Sequence, residues 1–77
     1  MSQEPAVLVD ARGHHCPVPT LRLRKALLSA STGDLVRLLA DDPMARIDVP
    51  HFAGEVGAEI LAREDLDGGF SFLVTKR

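Results

Sequence analysis

The chain has 77 residues, 45% of them apolar, and a formal net charge of −2. That length suits one domain over residues 1–77 with a small core, and the acidic balance lacks the basic footprint of a nucleic-acid surface. The lone cysteine excludes an internal disulfide framework, and no stretch reaches the ~20 apolar residues that span a bilayer.

Met1-Ser2-Gln3-Glu4-Pro5 has neither a basic segment nor a following apolar run of signal-peptide length. Together with the unpaired thiol, this leads us to expect a soluble cytoplasmic protein.

In chain order, Ala6-Val7-Leu8-Val9 is an apolar, β-branched run ending at Asp10, and it predicts a buried first strand. Ala11 to His15 is a loop containing Gly13. Pro17 and Pro19 suit the opening of a helix, where a missing N–H costs least. Pro19, Leu23, Ala26, Leu27 and Ala30 then recur at helical spacing as one apolar stripe. Gly33-Asp34 ends the connection, and Leu35 to Ala40 predicts a second buried strand.

Asp41-Asp42-Pro43 is a turn or helix-start signal. Asp48 has the look of a second cap, followed by Val49, Phe52, Ala53 and Val56 at i, i+3, i+4 and i+7. Gly57 is placed to end that helix in a left-handed conformation. Glu59 to Glu64 predicts a third strand and Asp67-Gly68-Gly69 a hairpin turn. Phe70, Phe72 and Val74 alternate with Ser71 and Thr75 as in a half-buried fourth strand. The order β-α-β-α-β-β implies an α+β two-layer sandwich: a mixed four-stranded sheet with two helices on one face.

Chemistry concentrates at Gly13-His14-His15-Cys16-Pro17-Val18-Pro19. A residue before proline is pushed out of helical geometry, so Cys16 is expected at the N-cap, facing the positive end of the helix dipole. The prolines remove two N–H groups from the first turn and leave Val18 as the obvious donor to sulfur. Activation of the thiol is therefore modest, and Pro17, Pro19 and Gly13 act mainly on its presentation. The bland alternative is a small buried cysteine. A buried filler requires neither the two prolines after it nor the glycine and histidines before it.

The stretch resembles the TusA/SirA-like sulfur carriers, whose hallmark Cys-Pro-x-Pro is matched by Cys16-Pro17-Val18-Pro19. Asp10-Ala11-Arg12-Gly13, Arg24-Lys25, Asp41-Asp42-Pro43, Asp48-Val49-Pro50 and Phe52 match further landmarks, so the resemblance runs from about Val7 to Lys76. It implies a sheet order of 1-2-4-3 and a persulfide on Cys16. The donor would be a cysteine desulfurase or rhodanese-type protein, and the recipient a downstream sulfur-acceptor protein. The relay would end in tRNA thiolation, molybdenum-cofactor assembly or sulfur oxidation. His14 departs from the family, where an apolar residue is usual.

With one cysteine, a persulfide on Cys16 has no internal thiol to resolve it and waits for an outside one. Val18, Leu21, Lys25 and Leu28 fall opposite the core stripe. With Arg22 and Arg24 beside them, they form a candidate docking strip with basic borders. His14 and His15 could move a proton or simply be solvated. Asp10 is expected to satisfy loop N–H groups before acting as a base. No cofactor and no resident metal are expected, and no membrane or direct nucleic-acid partner. Two other readings stand beside this one: a regulatory or RNA-binding module of the same shape, and a metal site at His14, His15 and Cys16, with His51.

Overall fold

The structure, a computed structural model, describes residues 7–15 and 17–77. Its centre follows from the period-two pattern of β2 (Leu35–Ala40): Val36, Leu38 and Ala40 point one way and are fully buried. Across the antiparallel pairing they oppose Val74, Phe72 and Phe70 of β4 (Gly69–Thr75). β1 (Val7–Asp10) runs parallel to β2, and β3 (Glu59–Leu66) pairs antiparallel with β4. The sheet order is β1-β2-β4-β3, as the resemblance implied.

Both helices cover the face carrying Val36, Phe72 and Val74. From α1 (Val18–Ser29) come Pro19, Leu23 and Leu27, all on the expected stripe. From α2 (Ala45–Glu55) come Ala45, Val49 and Ala53. Their small side chains let α2 lie close, while Leu23, Phe70 and Phe72 fill the remaining volume. The Phe70 and Phe72 rings meet edge to face at 5.6 Å, which adds roughly 0.5–1.5 kcal/mol to their burial. Arg46 closes one end of this core. Its guanidinium lies 4.4 Å from the centre of the Phe70 ring and 2.9 Å from Asp65.

Several expectations need correction. β1 is an edge strand, not a buried one: Leu8 is 61% exposed. β2 is two-faced, since Leu35 and Leu39 are only partly covered. β4 is central and buried on both faces, with Ser71 and Leu73 at 1% and 5% exposure. β3 runs to Leu66, two residues beyond the expected end. A bulge between Ile60 and Ala62 shifts its alternation and turns Asp65 towards Arg46.

Asp48 is not a cap. The N–H of Asp48 donates to the Met44 carbonyl at 2.9 Å, so this residue lies inside the first turn of α2. The start falls to Asp42: its Oδ1 accepts from Met44 N–H at 3.1 Å and its carbonyl from Ala45 N–H at 2.9 Å. Pro50 then sits inside the helix. Val56 is exposed and adds nothing to the core. Gly57 does end α2 as expected: its φ of 74° lets Ala58 N–H reach back to Ala53 O at 2.9 Å. Among the described residues no helix is long and apolar enough to cross a membrane.

Candidate functional site

The loop from β1 to α1 is held at several points before it reaches position 16. Ala11 is fully buried, and its N–H donates to Leu39 O at 2.8 Å, continuing the parallel ladder past the strand end. Asp10 folds forward over the loop. Its Oδ1 accepts from the Arg12 N–H at 3.1 Å and from Nε at 2.9 Å, while Oδ2 accepts from Nη2 at 2.8 Å. The Arg12 side chain, followed by its backbone N–H, lowers the Asp10 carboxyl to a pKa of about 2. A carboxylate so stabilised is a poor proton acceptor near neutrality, and Asp10 does hold a loop N–H, that of Arg12.

Gly13 has φ 83°, a left-handed turn that glycine adopts without a Cβ penalty. Its N–H donates to both carboxylate oxygens of Asp41, at 3.0 and 2.9 Å. The aspartate stands at the end of β2, so this contact ties the β1–α1 loop to the β2–α2 junction. In the sequence, Asp41 belongs to a turn or helix-start signal that is also a landmark of the resemblance. The signal was present in Asp41-Asp42-Pro43, but a carboxylate accepting a local N–H on the approach to its own helix and a neighbour clasping a distant glycine look identical in sequence.

His14 and His15 are both exposed. The His15 side chain is 97% exposed, and its Nδ1 lies 3.7 Å from Asp42 Oδ2, an ion pair when the imidazole is protonated. His51, invoked in the metal alternative, sits on α2 and meets Glu55 at 2.7 Å.

Cys16 lies outside the described residues. On the far side of it, the N-cap of α1 is Pro17, not the cysteine, and among the described residues no side chain caps the helix. Val18 N–H is also not free for sulfur: it donates to His15 O at 2.9 Å. The first turn is consolidated by Leu21 N–H donating to Pro17 O at 2.9 Å. Pro19 is buried against the core while Pro17 is exposed.

The five candidate docking residues share the outer side of α1 but do not face one way. Leu28 is 71% exposed, and with Arg24, Phe52 and Val56 it borders a groove of about 230 Å³ between the two helices. Lys25 turns to the opposite flank, beside Arg22 and β1. Leu21 is exposed and Val18 half-buried.

Comparison with known proteins decides what this arrangement belongs to. The family model described as sulfurtransferase TusA matches residues 7–76. The chain belongs to the TusA family. A sulfur carrier protein TusA of Allochromatium vinosum is 37% identical over 68 residues, 88% of this chain and 90% of that one. A sulfur carrier protein TusA of Pseudomonas putida is 32% identical over 73 residues, covering 95% and 91%. In the crystal structure of a SirA-like protein from Desulfitobacterium hafniense, 29% identical, the fold superposes with a TM-score of 0.73 over 90% of this chain and 95% of that one. Sulfur transfer is the role that this TusA membership supports.

Proposed function

We propose that the protein carries one sulfur as a persulfide on Cys16 and passes it to an acceptor protein in the cytoplasm. The observation that carries this reading is the position of the single cysteine of a TusA-family chain: between a loop clasped by Asp10 and Asp41 and a helix opened by two prolines.

In the first step the Cys16 thiolate attacks the outer sulfur of a persulfide on a cysteine desulfurase or rhodanese-type donor. A sulfur–sulfur bond forms at Cys16 as the donor's inner sulfur leaves as a thiolate. The second step repeats this chemistry in the other direction: an acceptor thiolate takes the outer sulfur and Cys16 departs as thiolate. Nothing is oxidised or reduced overall, and no cofactor takes part. Because the chain has no second cysteine, the loaded form cannot collapse to an internal disulfide.

Gly13, Pro17 and Pro19 fix how position 16 is presented. Val18, Leu21, Arg24, Lys25 and Leu28 offer apolar contact and positive charge to donor and acceptor. The occupied Val18 N–H removes one source of thiolate stabilisation, so presentation outweighs activation here.

The test is intact-mass measurement after incubation with a cysteine desulfurase and cysteine. A gain of about 32 Da, reversed by reductant, is expected for the natural chain, and none for Cys16→Ser. A Cys16→Ser protein that still gains the mass would end this assignment.

A further inference from the structure

We infer that the edge of β1 facing away from β2 is a docking site for an extended acidic segment of another protein, which adds to the sheet as a fifth strand. The inference does not depend on the chemistry at Cys16. β1 lies at one end of the sheet order and, among the described residues, pairs only with β2. The direction of its backbone groups follows from the ladder. Ala11 N–H points to Leu39, so Val9 and Val7 also face β2, and Leu8 and Asp10 turn their N–H and C=O groups outward. Arg22 Nη1 already donates to the Asp10 carbonyl at 3.4 Å on that outward side, so an incoming strand would share or displace this contact.

The edge opens on a groove of about 610 Å³ walled by β1 and by Arg22, Lys25, Ala26 and Ser29 of α1. A strand laid there would alternate its side chains between two different surroundings. One set would face the α1 wall and meet Arg22 and Lys25; the other would lie beside Leu8 on the helix-free face. The matching segment therefore alternates acidic and apolar residues, with main-chain hydrogen bonds supplying the common affinity.

A second copy of this chain fits less well. Antiparallel pairing of two β1 edges would bring Arg22 and Lys25 of both copies to one seam, where like charges repel.

The experiment is NMR titration and amide exchange on the full chain with two blocked hexapeptides, one alternating valine and glutamate, the other valine and lysine. The glutamate peptide is expected to shift and protect the Leu8 and Asp10 amides, and the lysine peptide to leave them unchanged. In the double variant Arg22→Glu, Lys25→Glu, the preference should reverse, with the glutamate peptide weakened at least about five-fold. This variant alters exposed helix positions and should leave the fold intact, which the unperturbed β2 and β4 amides would verify. Equal binding of both peptides, binding that leaves Leu8 and Asp10 unprotected, no binding, or concentration-dependent pairing of the chain through β1 would each overturn the inference.

Discussion

Replacing Asp41 with Ala tests whether the clasp on Gly13 matters for transfer or only for folding. The carboxylate accepts one N–H on both oxygens, at 3.0 and 2.9 Å, across 28 residues of sequence. A hydrogen bond to a charged acceptor contributes about 1.5–3 kcal/mol net, and this one is exposed, so about 1 kcal/mol is the expected loss. For a chain of this size that lowers Tm by roughly 4–8 °C. If the clasp also sets the direction of the loop at position 16, persulfide transfer from a loaded donor should slow by about five-fold or more, assayed well below Tm. Asp34→Ala is the matched control. Its Oδ2 accepts the Ser31 N–H at 2.9 Å, beyond the far end of α1, so it should lose similar stability without slowing transfer. Equal slowing in both variants, or none in Asp41→Ala, would refute a positioning role for Asp41.

Gly69→Ala should destabilise by about 1–3 kcal/mol in urea unfolding, because a Cβ there would meet the Ala40 carbonyl oxygen at 2.7 Å, backbone that cannot swing away. Asp10 has its folded pKa depressed from 3.8 to about 2, so its contribution is present above pH 4 and lost as the pH falls through 2. The difference in urea midpoint between the natural chain and Asp10→Asn should therefore shrink across that interval and vanish below it. Leu28→Asp, at a side chain 71% exposed, should change stability by less than about 0.5 kcal/mol yet slow transfer from the donor. A large stability loss would assign Leu28 to the core instead.

Much of this architecture was legible because the patterns were local. Leu35–Ala40 was bounded correctly, since Gly33-Asp34 and Asp41-Asp42-Pro43 punctuate it on both sides. Gly57 announced the end of α2 for the same reason. What was misread depended on neighbours distant in sequence. Val7-Leu8-Val9 carries the composition of a buried strand, but only the sheet order makes it an edge. Ser71 resembles a solvent-facing residue until Arg37 of β2 closes over it, donating to its hydroxyl at 3.1 Å. Asp48-Val49-Pro50 copies the cap-then-proline signal, yet the turn at Asp42 had already started the helix.

The site was legible as a cluster but not as a mechanism of support. Cys16, Pro17 and Pro19 stand out as residue types. The contacts on either side of position 16 run through backbone groups: the His15 carbonyl taking the Val18 N–H, and the Gly13 N–H reaching Asp41. Spacing reveals a thiol beside prolines; it does not reveal which donors are already occupied.

The strand order also governs how the chain assembles. β4 is the fourth strand made but stands second from one edge, and it alone joins β1 and β2 to β3. The hairpin of β3 and β4 closes between Leu66 and Gly69 and can form within microseconds. Its union with β2 links residues from 30 positions apart (Ala40 and Phe70) to 40 (Leu35 and Thr75), which is the slow search. A growing chain that has not yet reached Gly69 holds a two-stranded parallel pair and an orphan strand, so its leucines and both helices have no finished surface to settle on. Folding is therefore deferred until β4 emerges, and it should then proceed as one cooperative event.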